Sequence, residues 1–103
     1  MRFRTFVVLV TLAIATPVGA QDGQALLAKH GCTGCHSMQG NPVVPGWAQI
    51  AAKFDGKSGA IADIIAAIKQ GEHGNPVSMP PTPNVPRADA KAMADYIVGL
   101  EKK

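Results

Sequence analysis

Apolar residues recur at helical spacing in four segments of the chain, and no segment alternates between apolar and polar residues as a half-buried strand does. This pattern predicts an all-α fold. The four predicted helices are residues 22–30, 47–54, 59–70 and 86–101. Gly31 and Gly71 suit the ends of the first and third helices. Ser58 is expected to cap the start of the third helix, and Pro86 to begin the last.

Two segments rich in glycine and proline separate the helices and are predicted to be loops. They are 40–46 (GNPVVPG) and 71–86 (GEHGNPVSMPPTPNVP), and the second contains five of the eight prolines. Loops of more than about 12 residues without secondary structure of their own are usually functional or disordered. The second loop is therefore a candidate functional segment.

The first twenty residues have the pattern of a secretory signal peptide. Two arginines precede an apolar stretch from 6 to 15, and the segment ends in small residues at 18–20. We expect cleavage after Ala20 and export to the periplasm. No stable membrane anchor is expected, because the apolar run is shorter than the roughly 20 residues that cross a bilayer. The remainder, 21–103, is predicted to form one domain.

The composition of this remainder limits its function. It is close to neutral, with seven Lys and one Arg against seven Asp and Glu, and the lysines are scattered, so most are expected on solvated faces. No basic cluster with interleaved aromatic residues suits a nucleic acid. A domain this short usually needs disulfides, a metal or a cofactor to complete its core. Its two cysteines, Cys32 and Cys35, are too close together to close a useful loop.

The sequence Cys32-Thr33-Gly34-Cys35-His36 reads Cys-x-x-Cys-His, the attachment signal for c-type haem. Two thiols at this spacing can add to the two vinyl groups of one haem, and the histidine that follows can bind the iron. A thioredoxin-like dithiol is the main alternative, but it needs a βαβ unit that the pattern lacks. A structural zinc site is a weaker one, since no second cysteine pair is present.

The residue that binds the opposite side of the iron decides what such a haem does. An open position binds oxygen or peroxide, whereas methionine favours electron transfer and raises the reduction potential. Met38 lies too close to His36 to reach the far face, and Met93 falls on the apolar face of the last helix. Met79, in the long loop and followed by two stiffening prolines, is the predicted second ligand.

Several of these motifs together resemble the small bacterial class I cytochromes c, the soluble short-loop monohaem carriers of respiring and denitrifying bacteria. The matching residues are Gly31, Cys32, Cys35, His36, Pro45, the run Ala51-Ala52-Lys53-Phe54, and Met79-Pro80-Pro81. The resemblance covers nearly all of 21–103. It implies the cytochrome c fold, four to five short helices around one covalently attached haem c, with His36 and Met79 as axial ligands.

The resemblance also implies roles for residues around the haem. Pro45 would offer its carbonyl oxygen to the Nδ1–H of His36. Leu27 and Tyr96 fall where the first and last helices of the family cross, and the family often has an aromatic residue at the first position, so a looser crossing is expected here. The Trp that binds a haem propionate in near relatives is missing from this loop. The candidate propionate partners are Trp47, Lys53 and Asn75.

These observations predict a one-electron carrier, not an enzyme, that docks transiently with donor and acceptor proteins and is itself a monomer. A dedicated subunit of a periplasmic dehydrogenase or reductase stays open as an alternative. A peroxidase-like domain would need a distal acid or base, for which the loop offers Glu72 and His73. His30 is expected to be a solvated residue at a helix end, where a protonated histidine suits the helix dipole.

Overall fold

The computed structural model of the chain describes residues 3, 5–12, 20–74 and 77–102, and within them the fold is all-α, as predicted. Its four α-helices are α1 (Ala20–Lys29), α2 (Trp47–Phe54), α3 (Ala60–Gln70) and α4 (Arg87–Gly99). Short 3₁₀ helices cover Cys32–Gly34 and Leu100–Lys102. Extended pairing in these residues is limited to two isolated antiparallel bridges, Gly40 with Pro45 and Glu72 with Met79.

The ends of α3 show one prediction that is correct and one that is wrong. Gly71 ends the helix with φ 74°, and its N–H donates to the carbonyl oxygen of Ala67 at 2.9 Å. Ser58 is not the N-cap: that position is Gly59, at φ 79°, with no side-chain cap. The chain enters α3 through a left-handed turn, which glycine adopts readily, so the polar residue lies one position too early.

Helix α4 lies at the centre of the packing and contacts α1, α2 and α3. Its buried face supplies Ala90, Met93, Ala94, Tyr96 and Ile97. Met93 is 0% exposed, so its expected place in the core is confirmed. Helix α3 contributes Ile64, Ile65 and Ile68 to the same cluster. This helical core leaves the segments 31–46 and 71–86 to build the site.

The crossing of α1 and α4 is closer than the sequence suggested. A Cβ added at Gly23 would lie 2.4 Å from Tyr96 Cβ and 2.7 Å from the carbonyl oxygen of Ala92. Leu27 is 2% exposed and belongs to the buried cluster. The expectation of a looser crossing at Leu27 is therefore wrong, because glycine one turn earlier lets the two helix backbones approach each other.

His30 also ties α1 to α4. Its Nε2 atom lies 3.0 Å from Oδ2 of Asp89, in the first turn of α4, and the two side chains are 17% and 27% exposed. The expectation of a solvated histidine is wrong, because the crossing brings a carboxylate from the other helix to the end of α1. The link is formed immediately before Gly31, where the chain turns toward the cysteines.

The described N-terminal residues do not belong to this core. Residues 5–12 have no regular structure and are exposed. Within the described parts of the chain, no helix is both long and apolar enough to cross a membrane. Residues 6–12 of the apolar stretch of the predicted signal peptide are described, whereas 13–19, which include the end of that stretch, lie outside the described residues. Cleavage after Ala20 stays a prediction.

Candidate functional site

The Cys-x-x-Cys-His segment forms a tight helical turn directly after α1. Gly31, at φ 77°, adopts the left-handed conformation between α1 and this turn. The N–H groups of Cys35 and His36 then donate to the carbonyl oxygen of Cys32 at 3.3 and 2.9 Å. Because a helical turn has three to four residues, both thiols and the imidazole follow one another within little more than one turn.

His36 is fixed by a hydrogen bond and by a ring contact. Its Nδ1 atom lies 2.7 Å from the carbonyl oxygen of Pro45, the contact that the sequence resemblance implied. A carbonyl oxygen can only accept, so Nδ1 carries the proton, and in the neutral ring Nε2 keeps its lone pair. The Trp47 ring stacks on the imidazole with centroids 4.7 Å apart and planes at 28°. Together they orient the ring and leave Nε2 to bind a metal.

Pro45 is held by a loop that makes its own hydrogen bonds. Oδ1 of Asn41 accepts from the N–H groups of Val43 and Val44, both at 2.9 Å, which closes a turn ahead of Pro45. Oγ of Ser37 accepts from the N–H of Gly40 at 2.9 Å. Asparagine and serine are common in such turns, because their short side chains reach nearby backbone groups. These hydrogen bonds position the Pro45 carbonyl for its contact with His36.

The end of this loop is fastened to the start of α2. Oε1 of Gln49 accepts from the N–H of Gly46 at 2.9 Å, and the N–H of Trp47 donates to the carbonyl oxygen of Ser37 at 2.9 Å. A Cβ added at Gly46 would lie 2.3 Å from the backbone N of Gly40, so glycine allows the two ends of the loop to touch. Neither Gln49 nor Ser37 was singled out from the sequence. Glutamine three residues after the N-cap position, here Gly46, is the signal that could have found Gln49.

The two cysteines are free and differ in exposure, Cys32 being half-buried and Cys35 exposed. Burial raises the pKa of the Cys32 thiol, and a backbone hydrogen bond lowers it by less. Dithiol oxidoreductases instead need a lowered thiol pKa, so that the reactive thiolate is present at neutral pH. The raised pKa of Cys32 therefore speaks against the dithiol alternative.

Two thiols and an imidazole with a free Nε2 on one turn suit a haem c better than a bare metal ion. Within the ranges that the structure describes, no three His, Cys, Asp or Glu side chains gather as a metal site would require. A haem iron needs fewer ligands from the protein than a bare metal ion does, because the porphyrin itself supplies four nitrogen ligands. The described residues thus fit covalent haem attachment.

The three methionines after the predicted cleavage site lie in different surroundings. Met38 is 43% exposed and Met93 is enclosed in the core. Met79 is half-buried, and its backbone exchanges two hydrogen bonds with Glu72, of 2.8 and 3.0 Å. This pairing closes the loop 72–79 and gives Met79 a defined backbone position.

Two of the three candidates for a propionate partner lie among the described residues. Trp47 is 7% exposed and packs on His36. Lys53 is exposed, and its Nζ lies 5.5 Å from the centroid of the Phe54 ring. Asn75 lies outside the described residues. A role toward a propionate remains a prediction for all three.

Comparison with known proteins agrees with this geometry. The cytochrome c family model matches residues 20–101. Cytochrome c-551 of Allochromatium vinosum is 42% identical over 77 residues, which cover 73% of this chain and 82% of that protein. Cytochrome c-551 of Stutzerimonas stutzeri is 38% identical over 87 residues, covering 82% of this chain and 83% of that protein.

A solved structure shows the same fold. The crystal structure of wild-type Nitrosomonas europaea cytochrome c552 superposes with a TM-score of 0.69 at 39% sequence identity, and the match covers 75% of this chain and 98% of that one. Family, relatives and fold agree with the Cys-x-x-Cys-His turn and the histidine oriented behind it. The chain belongs to the cytochrome c family, as a small bacterial class I cytochrome c that binds one covalently attached haem c.

Proposed function

We propose that this chain is a periplasmic carrier of single electrons between a donor and an acceptor protein, with His36 and Met79 as the axial ligands of its haem iron. The hydrogen bond from His36 Nδ1 to the Pro45 carbonyl, at 2.7 Å, carries the proposal. It fixes the tautomer in which Nε2 can bind iron, and a hydrogen-bonded imidazole is a more basic ligand. Cys32 and Cys35 would hold the haem as thioethers.

Met79 is the methionine whose surroundings suit the second axial position. Met93 is 0% exposed within the helical core, and Met38, which follows His36 by two residues, is 43% exposed. The Glu72–Met79 backbone pair holds Met79 in a separate loop, from which its thioether would provide the second axial ligand. Haem c, when bound, supplies a one-electron ferric–ferrous couple.

The surroundings of these ligands favour a carrier over an enzyme. His36 is oriented from two sides, by Pro45 and by Trp47, so it need not move when the charge of the iron changes. A methionine that stays bound would leave no open position for oxygen or peroxide. Cys35 is exposed, and its side of the site is where a partner could approach a haem edge. A small, weak interface suits a carrier that has to release its partner.

Replacing Met79 with alanine tests the ligand assignment. We expect the ferric protein to lose its sulfur-to-iron charge-transfer absorption and the reduced protein to bind carbon monoxide. The reduction potential should fall by on the order of 0.1–0.3 V, since axial ligands tune haem potentials over about 0.8 V. Met38→Ala removes an exposed methionine and is the matched control, expected to keep absorption and potential. Retention of both properties in Met79→Ala would refute the assignment.

Export and haem attachment can be tested in one measurement. The mass of the protein from a periplasmic fraction should equal that of residues 21–103 plus one haem, and the haem should resist extraction by acidic organic solvent. A mass that includes residues 1–20 would contradict cleavage after Ala20. A donor or acceptor that co-purifies in fixed proportion would instead indicate a dedicated enzyme subunit.

A further inference from the structure

The loop 71–86, called the Met79 loop below, has few backbone donors in the part that follows Met79. Between residues 79 and 86, four positions are proline and have no N–H group: Pro80, Pro81, Pro83 and Pro86. The other four residues of the segment do have an N–H group, but with half of the donors missing its position also depends on carbonyl groups that accept from other parts of the chain. The donors for these carbonyls decide how firmly the loop is held.

The last turn of α3 supplies the main donor. Nζ of Lys69 donates to the carbonyl oxygen of Val85 at 2.8 Å and to that of Pro83 at 3.1 Å. Lys69 is half-buried, and Val85 is 4% exposed within the core cluster. A lysine expected on a solvated face thus bridges two carbonyls that lie 14 and 16 residues further along the chain. Bonds from a charged donor are stronger than neutral ones.

Neighbouring contacts bring the same two segments together. Thr82 donates its N–H to the carbonyl oxygen of Ile68 at 3.1 Å, and its hydroxyl donates to the same oxygen. A Cβ added at Gly71, which has φ 74°, would lie 2.5 Å from the carbonyl oxygen of Met79 and 2.8 Å from the N atom of Pro81. The residues that follow Met79 therefore run in contact with the end of α3.

We propose that Lys69 is a positioning residue for Met79: its ammonium group, through the Pro83 and Val85 carbonyls, holds the Met79 loop against α3. The inference rests on the proposed function, in which Met79 binds the iron. Helix α3 belongs to the buried core, whereas in the described part of the loop only Val85 does so, and polar contacts join the rest of the loop to α3. Loss of Lys69 should therefore let the loop open while the helices stay folded, as segments with few buried contacts do.

The test uses the haem-loaded protein and the variants Lys69→Leu and Lys69→Arg. Leucine removes the donor and has no atom that could bind iron, whereas arginine keeps the charge and several donors. Ferric protein is titrated with urea, with the sulfur-to-iron absorption reporting Met79 and far-ultraviolet circular dichroism reporting the helices. For Lys69→Leu we expect the absorption to be lost at lower urea than the helices, with an opening constant about ten-fold larger than in the unchanged protein. Lys69→Arg should restore most of the difference.

Lys91→Leu is the matched control. It makes the same change of charge at an exposed lysine, whose Nζ contacts only Asp95 four residues away at 2.8 Å among the ion pairs and side-chain hydrogen bonds of the described residues. In Lys91→Leu, the urea midpoints of the sulfur-to-iron absorption and of the circular dichroism should shift by the same amount or not at all. Should Lys69→Leu give no folded haem protein, Lys69→Gln serves the same comparison, with a shift of the same sign expected.

The outcomes separate this inference from the proposed function. If Lys69→Leu shifts both transitions equally, or neither, Lys69 is not a positioning residue for Met79 and the inference is overturned. If the unchanged ferric protein has no sulfur-to-iron absorption, or keeps it in Met79→Ala, the ligand assignment itself fails. Absorption that is present, depends on Met79 and is lost early only in Lys69→Leu supports both.

Discussion

Replacing Gly23 with alanine should destabilise the protein through the crossing of α1 and α4. The added Cβ would lie 2.4 Å from Tyr96 Cβ, whereas carbon atoms in contact prefer about 3.5–4.0 Å. It would also lie 2.7 Å from the carbonyl oxygen of Ala92, a backbone atom that cannot rotate away. The helices would have to separate by about 1 Å. Overpacking of this kind costs typically 1–3 kcal/mol.

The opposing effect is smaller. Alanine in a helix interior is more favourable than glycine by about 1 kcal/mol. Because both contacts are to atoms that cannot rotate away and Tyr96 is only 7% exposed, we take the upper end of the overpacking range, so the net loss should be about 2 kcal/mol. For a domain of this size, that lowers the melting temperature by about 8–16 °C.

Thermal unfolding of the ferric haem protein, followed by circular dichroism, measures this loss. Gly99→Ala is the matched control, since a Cβ at this last residue of α4 meets no atom within 4 Å. Its melting temperature should stay the same or rise slightly. A Gly23→Ala protein as stable as the unchanged one would refute the close crossing. An equal fall in Gly99→Ala would show that the loss arises elsewhere.

Two further substitutions test the ties around the site. Asp89→Ala removes the partner of the half-buried His30, and we expect it to lower the free energy of unfolding in urea by about 1 kcal/mol. Asp89→Asn keeps an acceptor and should lower it by less. Equal losses in the two variants would contradict the link. Gln49→Ala removes the acceptor for the N–H of Gly46 and should cost about 1 kcal/mol while loosening the loop that holds Pro45. Gln49→Glu keeps an acceptor oxygen and is its control, with a stability loss as large as that of Gln49→Ala arguing against the contact.

The helix positions followed from the local sequence, and the one wrong helix cap, at the start of α3, also has a local cause. Apolar residues at helical spacing located all four helices, and Gly71 ends α3 as expected. The prediction that Ser58 caps α3 was wrong because the backbone enters this helix in a left-handed turn. The residue at the N-cap is therefore determined by φ at Gly59 and not by a side-chain acceptor. Periodicity reports which face of a helix is buried, but carries little information about the turn that precedes it.

The contacts between segments could not be predicted in the same way. His30 was expected in solvent and Lys69 on a solvated face, yet one pairs with Asp89 and the other bridges Pro83 and Val85. Each contact joins residues that are at least 14 positions apart. Spacing along the chain does not encode such partners, because they depend on how the helices cross.

The sequence alone determined the chemistry of this protein, because haem attachment needs two thiols and an imidazole in five consecutive residues, and one helical turn brings them together whatever surrounds it. Only the tertiary structure decided how that turn is supported. The hydrogen bond from His36 to Pro45, which the sequence implied only through the family resemblance, required the loop between them to close, and the close α1–α4 crossing at Gly23 required two distant helices to meet. Local helix geometry brings the haem-attachment residues together, whereas packing between distant segments determines the contacts that support them.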